Sequence, residues 1–190
     1  MANKDHIRPL AGVPDHGFGP LGRLAHSVLA EYAGTAPPVP QLHLGQNTLP
    51  NPPFPMAAEV PFGDLSEGWQ ECGEDLAMFL RAGARALRNQ PVPDISAYSE
   101  RIRTLQRVLR FDSIAMAWHD PARAAFSMIA VAVDRAGNAV AGRIPAGGTP
   151  ADIEITDCGP PAGDDIVAGL LRDVLLAQYE WTSAVFGLVP

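Results

Sequence analysis

The sequence predicts an α+β fold in which a helical hairpin, a four-stranded antiparallel meander and a C-terminal helix follow an extended Pro/Gly-rich arm. Three observations predict it: prolines are concentrated before residue 62, apolar residues then recur at helical spacing, and from residue 112 the spacing changes to every second residue. We therefore expect an extended partner-binding arm over residues 1–63 and an α+β oligomerisation domain over residues 64–190.

The arm is expected to be extended because proline removes a backbone hydrogen-bond donor and disfavours helix in the residue before it. Eleven of the nineteen prolines lie at or before Pro61. Apolar residues are nevertheless spaced along the arm, which is unusual for a flexible linker and suits a segment that wraps around a partner protein. Those expected to bind a partner after residue 40 are Leu42, Leu44, Leu49 and Phe54.

One short amphipathic helix is predicted inside the arm, near residues 21–33, between the start signal Pro20 and the stop signal Gly34. An isolated helix of about 13 residues is marginal in water, so its apolar face needs a surface. The helix could fold back on its own domain, but the proline-rich flanks favour docking onto a partner. The residues of that face are Leu21, Leu24, Val28, Leu29 and Tyr32.

The folded domain is predicted to begin with a helical hairpin. Its first helix, from about residue 64 to residue 90, has acids early and arginines late, which matches the helix dipole, and Pro91 and Pro93 end it. Asp94 caps a second helix to about Arg110 with heptad apolar spacing, which fits packing within the hairpin or an oligomer contact. The residues of this seam are Tyr98, Ile102, Leu105 and Leu109.

Four strands are predicted beyond residue 112, in the segments SIAMAWHD, AFSMIAVAVD, NAVAGRI and DIEITD. Short connections join them, so an antiparallel meander is expected. Alanine is frequent in these strands, and another layer must therefore pack closely on the sheet. The last predicted helix, which begins at Asp164 or Asp165, is expected to supply that layer.

The C-terminal sequence WTSAVFGLVP is apolar, whereas chain termini are usually polar and frayed. It could pack in the core, lie between subunits of an oligomer or contact a membrane surface, although the absence of nearby basic residues disfavours the membrane. The residues concerned are Trp181, Val185, Phe186, Leu188 and Val189.

Composition and charge exclude several classes of function. A formal net charge of -7 argues against nucleic-acid binding, which needs a basic surface. No signal peptide and no membrane-spanning stretch are found, so a cytoplasmic protein is expected. Cys72 and Cys158 are far apart and lack metal-ligand spacing, so both thiols are expected to be reduced.

No catalytic site is predicted. His119 and Asp120 near Ser127 could be imagined as a general base beside a nucleophile, and Asp157 with Cys158 as a nucleophile on a loop. Neither set has a third orienting residue in a recognisable frame, which nucleophilic catalysis requires. We therefore expect a protein that is not an enzyme.

No metal or phosphate site is predicted either. His6 and His16 have no third ligand at a suitable spacing. Gly147 and Gly148 lack the lysine and the following helix of a phosphate-binding loop, so a turn explains them. No directly bound cofactor is therefore expected.

The order of an extended arm with a helix at residues 21–33, a domain from about residue 64 and an apolar tail at residues 181–190 resembles one known family. It is similar, over the whole chain in architecture and length, to the scaffold or stalk subunit of the mycobacterial-type oxygen-insensitive NiFe hydrogenases. The resemblance implies that the arm is laced between catalytic subunits and that the folded parts form a tetrameric, membrane-associated stalk. It also implies that menaquinone passes through this stalk.

The sequence thus predicts a non-catalytic scaffold subunit that binds protein partners through its arm and forms a homo-oligomer through its C-terminal domain. By resemblance it would lie peripherally on the inner face of the membrane. The alternative is a small acidic protein of the immunity type that neutralises a toxin, which the charge and the size also fit. A scaffold needs residues 1–63 for its partner, whereas an immunity protein would use the surface of its domain.

Overall fold

The computed structural model describes residues 8–46, 58–94, 96, 111–123, 125–158 and 166–187. The strands are β1 (Arg8–Pro9), β2 (Gln41–Gln46), β3 (Ala58–Pro61), β4 (Ser113–Trp118), β5 (Phe126–Asp134), β6 (Ala139–Pro145) and β7 (Glu154–Asp157). The helices are α1 (Gly19–Glu31), α2 (Ser66–Glu71), α3 (Leu76–Asn89) and α4 (Ile166–Phe186). The strands form one antiparallel seven-stranded sheet in the order β1-β3-β2-β4-β5-β6-β7, and the fold is α+β as predicted.

Strands β4 to β7 form the predicted four-stranded meander, in which each strand pairs with the next along the chain. The alternation of side chains gives this sheet two different faces. Small side chains lie towards α1, namely Ala115, Ala117, Ala130 and Ala132. Larger side chains lie towards α3 and α4, namely Ile114, Met116, Val131 and Val133. The close layer that the alanines require is therefore α1, and not the C-terminal helix as predicted.

The N-terminal region is part of the same sheet, which corrects the prediction of an extended arm and of a domain boundary at residue 63. Strand β2 pairs with β4 from Gln41 opposite Ala117 to Gly45 opposite Ser113. Strand β3 then pairs with β2, and β1 pairs with β3. The effect of proline on the backbone is local, so prolines that flank β2 leave the six residues of that strand free to form a ladder.

Helix α1 packs on the sheet of its own chain, so the prediction that it docks onto a partner is wrong. Its apolar face is 0% to 7% exposed and lies in one cluster with the alanines of the meander. The residues buried in this way are Leu21, Leu24, Val28 and Leu29. Leu42 and Leu44 are buried on the opposite face of the sheet, so they are not available to a partner either. Tyr32 is partly buried, and Leu49 and Phe54 lie outside the described residues.

The helix predicted from residue 64 to residue 90 is broken into α2 and α3. Gly73 and Glu74 have positive φ values of 64° and 61°, which no α-helix contains. Asp75 then caps α3, because its carboxylate accepts a hydrogen bond of 2.7 Å from the backbone nitrogen of Met78. The second helix of the predicted hairpin, with Tyr98, Ile102, Leu105 and Leu109, lies outside the described residues.

Helices α3 and α4 lie together on the face of the sheet opposite α1. Near the end of α4, Val185 is buried in the chain, whereas Trp181 and Phe186 are partly exposed. The indole nitrogen of Trp181 donates to the carbonyl oxygen of Pro91 at 3.4 Å. The last predicted contact residues, Leu188 and Val189, lie outside the described ranges. Within those ranges, no helix has the length and apolar character needed to cross a membrane.

Candidate functional site

Two features of the described structure are candidates for function. The first is a buried polar cluster between α1 and the three N-terminal strands, formed by Arg8, Ser27, Glu31, Tyr32, His43 and Glu59. The second is an open apolar groove between α2 and α3. Neither was predicted as a site from the sequence.

Sheet register brings three of the polar side chains together. Arg8 in β1 is directly opposite Glu59 in β3, and Glu59 is opposite Gly45 in β2. His43 precedes Gly45 by two residues, so it lies on the same face of the sheet and diagonal to Glu59. This face is the one that α1 covers, which explains why His43 and Glu59 are 1% and 0% exposed.

The C-terminal end of α1 completes the polar cluster. The guanidinium group of Arg8 contacts the carboxylates of both Glu31 and Glu59. The hydroxyl oxygen of Tyr32 is 3.1 Å from Nε2 of His43, and Nδ1 of the same ring is 2.6 Å from Oε1 of Glu59. A histidine inside the fold is thus held between a phenol on one side and a carboxylate on the other.

The electrostatics of the polar cluster favour an ionised Glu59. Burial by itself would raise the pKa of this carboxyl group, but the close contact with His43 and its charge, the hydroxyl of Ser27 and the charge of Arg8 outweigh burial and lower it. Burial and the charge of Glu31 raise the pKa of Tyr32, so the phenol remains protonated. Arg8 faces both carboxylates of the polar cluster and adds a positive charge beside them.

Two buried atoms of the polar cluster lack a hydrogen bond within the described structure, namely Nδ1 of His43 and Oε2 of Glu59. Although Nδ1 lies 2.6 Å from the other carboxylate oxygen, the approach is outside the angular range of a hydrogen bond. Buried polar atoms are normally satisfied, and exceptions call for an explanation. Glu31, His43 and Glu59 each place one potential metal-ligand atom within 4.8 Å of the others.

A pair of histidines is formed by His26 on α1 and His16 in the turn before α1. Nε2 of His16 is 2.9 Å from Nδ1 of His26, and both side chains are partly exposed or exposed. Burial, followed by the proximity of His16, lowers the pKa of His26. His16 was considered as a ligand and set aside for want of a third residue; His6 lies outside the described residues. The pair supplies two nitrogens only.

The groove between α2 and α3 has a volume of about 620 Å³. The ring of Phe79 forms part of it and packs edge-to-face against Trp69, with the ring centroids 5.5 Å apart. Its other apolar lining residues are Phe62, Leu65, Cys72, Ala82, Ala86 and Leu87. Since Ala82 and Ala86 are small and exposed, the outer side of α3 is accessible to another helix at close range.

Exposed charges of both signs lie on the two helices that form this groove. Glu67 and Glu71 on α2 line its acidic side. Arg81 and Arg85 lie on the outward face of α3 but do not line the groove, and all four side chains are exposed. These four residues make no ion pair with one another or with any other residue that the structure describes. The surface therefore carries unpaired charges of both signs beside an apolar depression.

The hydroxyl of Ser127 is not bonded to the ring of His119, as a nucleophile and its base would be. Nδ1 of His119 contacts the backbone carbonyl oxygen of Ser127 at 3.0 Å, whereas the hydroxyl of Ser127 donates to the carbonyl oxygens of Ile144 and Pro145. The carboxylate of Asp120 accepts a hydrogen bond from the backbone nitrogen of Ala122. The serine hydroxyl is thus used to hold neighbouring strands together.

The phosphate-loop alternative is also explained by local structure. Gly147 has a φ value of 75°, and the backbone nitrogen of Gly148 donates to the carbonyl oxygen of Pro145. These are the features of a tight turn after β6, which is the explanation that the sequence favoured.

Comparisons of the chain with models of protein families, with curated proteins and with solved structures found no match.

Proposed function

We propose that this chain is a non-catalytic assembly subunit that associates with a second copy of itself through the groove between α2 and α3. The observation that carries the proposal is the pairing of an apolar depression with unpaired charges of both signs, Glu67 and Glu71 on α2 and Arg81 and Arg85 on α3. An apolar centre with a charged rim is the usual composition of a protein–protein contact.

A second copy is the occupant that this charge pattern favours. In a contact with twofold symmetry the same surface is used by both subunits, so each contact between two different residues occurs twice. The arginines of one copy would then face the glutamates of the other, and the reverse. A partner whose surface carries charges of one sign only would attract either the glutamates or the arginines and would repel the other pair.

The shape of the groove supports a helix-to-helix contact. Helices approach to 8–10 Å according to the size of the side chains between them, and Ala82, Gly83 and Ala86 are the smallest available. Met78, which is 57% exposed on the same helix, is flexible enough to fill the remaining space. A helix of the second copy would cover the apolar side chains that line the groove and that a single copy leaves partly exposed.

The narrower form of this proposal is a scaffold or stalk subunit of a NiFe hydrogenase complex. Such a stalk would lie peripherally on the membrane, and menaquinone would pass through it. The order of features along the sequence supports it by resemblance. Because the apolar face of α1 and the leucines of β2 are buried in their own fold, catalytic subunits would have to contact other surfaces of the folded chain.

The test is the mass of the full chain by light scattering, measured over a range of concentrations. We expect the R81E/R85E variant and the E67R/E71R variant each to lose self-association. The four substitutions together should restore it, because the charges are exchanged across the contact. The matched control is Arg143→Glu, which breaks the ion pair between Arg143 and Glu154 on β6 and β7, away from the groove.

The outcomes separate the functions considered. A wild-type chain that remains monomeric, or charge-exchanged variants that all associate as the wild type does, would overturn the groove contact. Retrieval of large and small hydrogenase subunits by the tagged full chain from its native host would support the narrower proposal. A monomer that retrieves a toxin instead would favour the immunity-type alternative, for which the net charge of -7 is the supporting observation.

A further inference from the structure

We propose that Glu31, His43 and Glu59 form a binding site for a first-row divalent metal ion, zinc being the best match, and that Arg8 is the internal cation that competes for it. This inference does not depend on the proposed self-association, because the polar cluster lies between α1 and the sheet, among residues other than those that line the groove.

The donor set is suited to zinc. Two carboxylates and one imidazole are ligands that zinc accepts, with one further position left for solvent. His43 and Glu59 are held in place by burial, at 1% and 0% exposure, whereas Glu31 is 36% exposed and can adjust. The site thus combines two fixed ligands with a third one that can move onto the ion.

The distances need only a small adjustment. Ligand atoms bound at about 2.1 Å in a tetrahedron are about 3.4 Å apart. The potential ligand atoms of the three residues are all within 4.8 Å of one another, and Nδ1 of His43 is 2.6 Å from Oε1 of Glu59. Binding therefore requires these two atoms to move slightly apart and the carboxylate of Glu31 to move closer by rotation about its side-chain torsions.

The contacts of His43 suit a metal ligand. When the hydroxyl oxygen of Tyr32 accepts a hydrogen bond from Nε2–H, Nδ1 is the nitrogen that can offer a lone pair to a metal ion. Like Oε2 of Glu59, Nδ1 is buried and has no hydrogen bond, and it lies 2.6 Å from Oε1 of Glu59. A metal ion bound by both residues would satisfy these atoms, and Tyr32 would fix the ring as a histidine ligand's hydrogen-bond partner usually does.

Arg8 explains how the polar cluster is stable without a metal ion. Its guanidinium group contacts both carboxylates, so the cluster carries one positive and two negative charges when His43 is neutral. A divalent ion in place of Arg8 would balance those two carboxylates completely. Arg8 is in the two-residue edge strand β1 and its side chain is 33% exposed, so the guanidinium group can turn out to solvent.

The test is a titration of the full chain with Zn²⁺ in competition with a chromophoric chelator. We expect one equivalent to bind, and Glu31→Gln to weaken binding by at least about tenfold, the loss typical of disrupted metal sites. Arg8→Met should instead strengthen binding by a similar factor, because the competing cation is removed. Glu31 is partly exposed, so its substitution leaves the core intact.

A second readout uses Co²⁺, whose visible absorption reports a tetrahedral site and should be lost in Glu31→Gln. The matched control is the H16N/H26N variant, which removes the other histidine pair and should bind Zn²⁺ as the wild type does. Loss of binding in that control would place the ion at the histidine pair and overturn the proposal. The absence of binding in both the wild type and Arg8→Met, or equal affinities of the two, would overturn it as well.

Discussion

Arg88 in α3 donates two hydrogen bonds to the carboxylate of Asp173 in α4, from Nη1 at 3.1 Å and from Nη2 at 2.6 Å. Its Nε also donates to Glu180 at 3.4 Å, about two turns further along α4. This bidentate contact fixes the relative position of two helices that cover one face of the sheet. Both side chains are about two-fifths exposed, so the contribution to stability is modest.

We expect the Arg88–Asp173 pair to give a pH-dependent stability. The hydrogen bond from Arg88 lowers the pKa of Asp173 below its usual range. The carboxylate therefore stabilises the fold at neutral pH, and this contribution is lost as the pH falls through the lowered pKa. A double-mutant cycle with R88M and D173N should give a coupling of about 0.5 kcal/mol at pH 7. A coupling that is as large at pH 2 would contradict this account.

The burial of α1 predicts that Leu24 contributes to global stability. Leu24→Ala removes a fully buried side chain between α1 and the sheet and should lower the free energy of unfolding by about 2–5 kcal/mol. Val92→Ala, at an exposed position, is the control and should change it by less than about 0.5 kcal/mol. Equal denaturation curves for Leu24→Ala and the wild type would mean that α1 is a free docking helix after all.

Replacement of either of two helical glycines by alanine should change the stability of the protein, but in opposite directions. Helix propensity alone favours alanine over glycine by about 1 kcal/mol. In α4 a Cβ atom on Gly169 has nothing within 4 Å, so Gly169→Ala should stabilise the protein by up to that amount. In α1 a Cβ atom on Gly22 would overlap the backbone carbonyl oxygen of Asp15, so Gly22→Ala should destabilise it by about 1–3 kcal/mol. Thermal unfolding of both variants is the measurement.

The thiol of Cys72 can report on the groove, because this residue lines it and is partly buried. The chain has two cysteines, so the Cys158→Ser variant retains Cys72 as its single thiol. We expect the labelling rate of Cys72 to fall as protein concentration rises, since in the proposed contact a second copy would cover the groove. In a Cys158→Ser variant that also carries R81E and R85E, the labelling rate should be independent of protein concentration. A concentration-independent rate in both proteins would contradict the proposed contact.

The parts of the fold that the sequence predicted are those with local signals. The meander follows from apolar residues at every second position with short turns between strands, and α4 and α1 follow from helical spacing. The break between α2 and α3 had a local signal as well, since Gly73 interrupts the apolar spacing and Asp75 is a favourable cap. A single helix was predicted nevertheless, because the acidic residues come early in the segment and the arginines come late, as the helix dipole favours.

The N-terminal strands were missed because their pairing is not local. The sequence of β2 has alternating apolar and polar residues, but its neighbour β4 is far away along the chain, and the prolines around β2 indicated an arm. The polar cluster was missed for the same reason. Arg8, His43 and Glu59 lie in three separate segments, and only the sheet register places them together. The sequence did contain one signal of the polar cluster, namely His43 between Leu42 and Leu44 in a short alternating segment.

The presence of Pro9 in β1 has a consequence for how copies of this chain can assemble. Proline has no backbone N–H group to offer to an additional strand, and β1, which is only two residues long, is the outermost strand on this side of the sheet among the residues that the structure describes. Growth by the addition of strands, which leads to open-ended fibres, is therefore disfavoured at this edge. Copies that meet through their helices instead can form a closed assembly of finite size.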